Sequence, residues 1–167
     1  MSHQFVAEME SRFGSDESLG VTFEMACGRR LSVEEYEEMF KRLGDAMPDT
    51  ISFLPNGGSA VCCTDYAMLI FSQLPGRVQI FGFANEDNPT SRVAREEIHP
   101  GGHDFAVVDG RFIVDPWLRL VPCASEQMIF DLEAAEDQQR ALDLYGPRDR
   151  WTHMQAAELY AAQTQYP

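Results

Sequence analysis

Residues 60–74, AVCCTDYAMLIFSQL, are apolar around nearly the whole circumference of the helix they can form, and such a helix must be enclosed by the rest of the fold. Ser59, at the end of the glycine-containing loop LPNGGS (54–59), can cap its start, and Pro75 and Gly76 stop it. The chain that follows must supply the enclosure. Residues 77–84 (RVQIFGFA), 104–110 (DFAVVDG) and 111–117 (RFIVDPW) are rich in β-branched and aromatic side chains. The last two meet at Asp109 and Gly110, a pair that favours a tight hairpin turn. An antiparallel sheet following a buried helix is therefore expected.

Helices are expected on either side of that unit. From Ser32 the segment SVEEYEEMFKRLGDAM has a Ser three residues before Glu35, and Tyr36, Phe40, Leu43 and Met47 recur at helical spacing until Pro48. From Ser125 the chain returns to helical composition in two stretches, SEQMIFDLEAAEDQQRALDLYG and RDRWTHMQAAELYAAQ, broken at Gly146 and Pro147. Trp151 and Tyr160 fit an apolar face of the second stretch. The predicted fold class is α+β: a central Cys-bearing helix packed on an antiparallel sheet, with extra helices at both ends. No repeat or boundary divides the chain, so residues 1–167 read as one domain.

Composition narrows the functions. The net charge is −14, and the 13 basic residues, of which Lys41 is the sole lysine, form no run, which argues against nucleic acid. No apolar run of about 18 residues and no basic, apolar leader are present, so the expectation is a cytoplasmic protein, with a non-classical route to another cell left open. The cysteines are Cys27, Cys62, Cys63 and Cys123, and an adjacent pair makes a poor disulfide framework. Neither CxxC, HExxH nor a calcium-type DxDxDG loop occurs, so no metal or cofactor is expected.

Cys62 and Cys63 fall in the first turn of the buried helix, where unpaired N–H groups and the helix dipole favour a thiolate. Their bland alternative is that of small buried hydrophobes. A nucleophilic thiol needs a base, and the base needs an orienting group. His103 begins one hairpin strand and Asp115 ends the other, so a turn at Asp109 and Gly110 brings them nearly opposite each other. His99, in EIHPGGH, is a competing candidate base but has no strand position opposite an acid and reads as a loop residue, while His3 and His153 fall in terminal helical segments and read as surface residues. Cys27 and Cys123 read as packing residues. Asp65 and Tyr66 read as anchors of the helix.

The stretches CTDYA from Cys63, LPGRVQIFGF from Leu74, HDFAVVDG from His103 and FIVDP ending at Pro116 resemble, in order and spacing, the transglutaminase-like members of the papain-like cysteine enzyme superfamily. The resemblance covers about residues 55–118. It implies a papain-like core with Cys63 as nucleophile, His103 as general base and acid, and Asp115 as orienter. It favours Cys63 over Cys62, because D-Y-A is in register with Cys63 alone. Asp104 and Phe105 stand where the family often has an aromatic or Trp, and Trp117 replaces the small residue that commonly follows DP.

The expected activity is that of a cysteine-dependent amide-bond hydrolase or acyltransferase acting on a peptide or protein substrate: a peptidase, a glutamine deamidase or a transglutaminase. Backbone N–H of Cys63 is the natural oxyanion donor, with Asn56 a candidate side-chain donor. One rival is a processing peptidase of the lasso-peptide maturation type, as found in bacterial systems. Another is an inactive binding module whose acidic face holds a basic partner. The polar segment NEDNPTSRVAREEIHPGG (85–102) is either a substrate-selecting flap or a surface excursion.

Overall fold

The computed structural model describes residues 2–15, 63–99, 101–120 and 122–155. The predicted helix from Ser32, Cys27, Asn56, Ser59, Cys62 and Tyr160 lie outside them, as does the side chain of Asp65. Helix α1 spans Ser2–Phe13 and α2 spans Cys63–Gln73. Strands β1 (Val78–Ala84), β2 (Gly102–Val108) and β3 (Phe112–Val114) follow where their apolar composition predicts them. Between them come a short helix α3 (Arg92–Arg95) and, after β3, α4 (Pro116–Leu120).

The C-terminal part departs from expectation. The stretch from Ser125 first forms a strand, β4 (Ile129–Asp131), and only then a helix, α5 (Ala135–Tyr145), which ends at Gly146 with φ of 69°. Residues 148–150 form one 3-10 turn and Thr152–Met154 form β5, so His153 and Trp151 are not on a helix. The reason is tertiary: Ile129, Phe130 and Asp131 pair with Val114, Ile113 and Phe112, and Thr152, His153 and Met154 pair with Gly82, Phe81 and Ile80. Two three-residue segments thus become the edges of the sheet, where ladder hydrogen bonds outweigh weak helical propensity.

The sheet is antiparallel throughout, in the order β4-β3-β2-β1-β5. Helix α2 packs against β2 and β1, and Phe5 of α1 stacks on Phe112 at 4.1 Å, so both helices cover the face carrying Asp104, Ala106 and Val108. Tyr145 of α5 packs on Phe105 at 4.6 Å on the opposite face. Cover on both faces explains why Phe105, Ala106, Val107 and Val108 are all at most 1% exposed and why the strand reads as a continuous apolar run. Arg119 of α4 forks onto Glu10 at 2.7 and 2.8 Å and bonds the Gly14 carbonyl at 2.8 Å, tying α1 to the end of the hairpin.

The hairpin turn decides which face each side chain meets. Asp109 and Gly110 both take positive φ, 54° and 66°, and the Arg111 N–H closes the turn on the Val108 carbonyl at 3.0 Å. Pairing resumes one residue later than a two-residue loop would give, with Val108 against Phe112. Arg111 is the extra residue. Counting back from that register, Asp115 falls level with Phe105, on the same face as His103 and two residues along from it.

Segment 85–102 is organised along its described length. Asn85–Asp87 forms a 3-10 turn, and Ser91 caps α3 by accepting from the Ala94 N–H. Asn88 is fully buried and donates to the Tyr145 carbonyl at 2.7 Å, and Arg95 pairs with Asp143 at 2.7 Å. The segment is pinned to α5, so a loose flap is not what these contacts describe.

Candidate active site

The register of the hairpin puts His103 and Asp115 within contact. Nε2 of His103 lies 2.7 Å from Oδ2 of Asp115, with both residues at most 3% exposed. Because a carboxylate offers only lone pairs, Nε2 carries the proton and Nδ1 is left as the basic nitrogen. Nδ1 is buried and makes no hydrogen bond among the described residues. The imidazole is fixed by rings on several sides: Phe105 and Tyr145 stack on it at 5.8 Å each, and Trp117 lies tilted at 5.2 Å.

Asp115 is over-determined. Its Oδ2 also accepts from the Tyr145 hydroxyl at 2.9 Å, and its Oδ1 faces the Leu118 N–H at 3.4 Å. The second contact follows from local sequence: Asp115 precedes Pro116 at the start of α4, the order of an acidic cap before a first-turn proline. Burial, together with the neighbouring Asp115 charge and hydrogen bond, pushes the Tyr145 phenol well above its ordinary range, so it stays a donor. Nothing in the sequence pointed to Tyr145, which is 30 residues from Asp115 and reaches it only through the packing of α5.

Cys63 is 3% exposed, and its Sγ accepts from the backbone N–H of Asp104 at 3.3 Å. The cause lies in the strand ends. Alternation along β2 directs the N–H groups of Asp104, Ala106 and Val108 toward β3, but β3 stops at Val114 and Pro116 opens a helix. The thiol of α2 takes the place a strand partner would have held. Cys63 therefore meets β2 at its backbone, one residue from His103, while the His103 ring turns to the opposite face from Asp104.

Cys63, Thr64, Gly82, Phe83, His103 and Asp104 line one cavity of about 390 Å³. The Asp104 carboxylate accepts from the Thr64 hydroxyl through Oδ2. Sequence reasoning assigned Asp104 no role, although its adjacency to His103 was a usable signal. His99 stands in the loop before β2, as expected, yet it lines the same cavity and packs its ring edgewise on Trp117 at 5.1 Å.

The remaining candidates disperse. His3 and His153 are exposed, the latter on edge strand β5. Cys123 is also exposed, on a loop with φ of 51°, which corrects its reading as a packing residue. Tyr66 is 2% exposed in the core, as expected of an anchor. Among the described residues no group of three or more His, Cys, Asp or Glu side chains is placed to hold a metal ion, and no helix is long and apolar enough to cross a membrane.

Comparison of the chain with protein-family models, curated proteins and solved structures finds no match in any of the three.

Proposed function

We propose that this chain is a cysteine-dependent amide-bond hydrolase or acyltransferase of the transglutaminase-like, papain-like kind, with Cys63 as nucleophile, His103 as base and acid, and Asp115 as orienter. The observation that carries the reading is the buried His103 to Asp115 contact of 2.7 Å, opening on the same cavity as a thiol already held by an N–H donor. An orienting carboxylate and a fixed imidazole are what a thiol needs to act at neutral pH.

In this reaction His103 Nδ1 takes the Cys63 proton, and Sγ attacks the substrate carbonyl carbon to form a tetrahedral oxyanion. The C–N bond then breaks as the imidazolium protonates the departing amine, leaving a thioester on Cys63. A water molecule, or an amine in the transfer reaction, loses a proton to His103 as it attacks the thioester. Collapse expels the sulfur and returns the thiol, with a carboxylic acid or a new amide as product. Asp115 stabilises the imidazolium at each stage, and Tyr145 holds the carboxylate in place.

A second reading, an inactive binding module with an acidic face, draws on one feature: Nδ1 of His103 makes no hydrogen bond to the thiol in this structure. Such contacts commonly tighten only when substrate is bound. Labelling with iodoacetamide, read by mass spectrometry against pH, separates the two. The enzyme reading expects rapid modification of Cys63 near neutral pH and a loss of about tenfold or more in His103→Ala, in line with the usual contribution of a positioned base. Slow, ordinary alkylation in both proteins rejects it.

A further inference from the structure

The cavity beside Cys63 carries a charge that the proposed chemistry does not use. Among the described residues lining it, Asp104 supplies the only carboxylate, and no Lys or Arg is present to neutralise it. Its position is set on both sides. Thr64 holds Oδ2 from α2, and Oδ1 lies over Gly82 of β1 so closely that any Cβ there would collide with it. Gly82 and Asp104 are cross-strand partners, so the absence of a side chain at 82 is what leaves room for the carboxylate. Oδ1 accepts no hydrogen bond among the described residues.

The same residue touches the nucleophile, since its backbone N–H donates to Cys63 Sγ at 3.3 Å. Cys63 and Asp104 also line one cavity, so a substrate whose carbonyl reaches Sγ brings its neighbouring groups into the space that the carboxylate borders and displaces water there. A carboxylate dehydrated without a donor is costly, and a second carboxylate would be repelled. A guanidinium or ammonium supplies both the N–H donors and the opposite charge.

We propose that Asp104 is the specificity-determining residue of this site, selecting substrates with an Arg or Lys side chain beside the scissile amide. The inference rests on Cys63 being the nucleophile. It assigns a substrate class to the cavity: cationic peptides. The net charge of −14 acts in the same sense at longer range, drawing basic substrates toward the molecule.

The test compares peptide amides identical except for one residue flanking the amide: Arg, its uncharged isostere citrulline, or Glu. Wild type is expected to prefer Arg over citrulline by about tenfold in kcat/KM, mostly through KM, and to process the Glu peptide worst. In Asp104→Asn, which keeps an acceptor for Thr64, the Arg to citrulline ratio is expected to fall to about one, and Asp104→Ser serves if the first variant does not fold. A ratio near one in wild type, or one unchanged by both variants, overturns the proposal.

Charge-selective labelling of Cys63 supplies a readout that needs no turnover. Methanethiosulfonates bearing an ammonium or a sulfonate are compared at one pH, with thermal melting as the folding control. A faster ammonium reagent whose advantage disappears in Asp104→Asn supports the assignment even if none of the three peptides is cleaved. Cys63 that is reactive and dependent on His103 but indifferent to reagent charge overturns the Asp104 assignment alone. Cys63 that resists every reagent removes the nucleophile, and both proposals fall together.

Discussion

Replacing Tyr145 by Phe deletes one oxygen from a side chain with no exposed surface, leaving the ring and its contacts with His103, Phe105 and Trp151 in place. The lost interaction is the 2.9 Å hydrogen bond to Asp115 Oδ2. A hydrogen bond to a charged acceptor contributes about 1.5–3 kcal/mol. Two circumstances place this one at the lower end. Asp115 keeps the His103 contact at 2.7 Å and the Leu118 N–H, so the carboxylate is not orphaned, and Phe avoids the cost of burying a hydroxyl. The expected loss is about 1.5 kcal/mol, read as a lower urea midpoint with an unchanged slope.

The pH dependence gives that prediction a sign. The folded-state phenol titrates well above its ordinary value of 10.0, so its contribution is complete below that value. It is lost as pH rises from there toward the folded pKa, because the unfolded chain releases the proton first. The stability gap between wild type and Tyr145→Phe should therefore narrow in alkaline solution and stay constant between about pH 6 and 9. A loss under about 0.5 kcal/mol near neutral pH, or a gap that widens with alkali, would refute the reasoning that Tyr145 donates to Asp115.

Other outcomes follow from single contacts. Gly82→Ala drives a Cβ into Asp104 Oδ1 and should cost about 1–3 kcal/mol by overpacking, with a lower thermal midpoint as the measure. Asn88→Ala removes the buried bond to the Tyr145 carbonyl that pins segment 85–99 to α5, and should cost about 2 kcal/mol and speed proteolysis within that segment. Arg111 hydrogen-bonds Asp131 through two N–H groups, at 2.7 and 2.8 Å, and holds its carboxyl below the ordinary range. The resulting stability is present above about pH 4 and fades as pH falls through the folded pKa. Melting curves of wild type and Asp131→Asn should accordingly differ near pH 7 and converge toward about pH 3.

The parts of this protein legible from sequence are those whose signal is local. Three strands announce themselves by β-branched and aromatic runs, the turn by Asp109 and Gly110, and the stop of α2 by Pro75 and Gly76. His103 and Asp115 were nameable because one hairpin carries both, and separation along the chain limits how far apart they can lie. Strands β4 and β5 were not legible, since three residues hold no periodicity and their neighbours favour helix. They exist because the edges of a central sheet offer unpaired backbone groups, which only the assembled sheet presents.

The site divides in the same way. Residue types were readable: a thiol at the start of a buried helix, an imidazole and a carboxylate on paired strands. Their faces were not. A turn with two residues between strands would set His103 and Asp115 on opposite sides of the sheet, and the extra Arg111 in the ladder brings them to one side. The thiol's N–H donor exists because β3 ends before it reaches the level of Asp104, and the hydroxyl on Asp115 arrives from a helix distant in sequence. Side-chain chemistry is a property of each residue and can be read in order, whereas register, strand length and helix docking are set by the free energy of the whole packed chain.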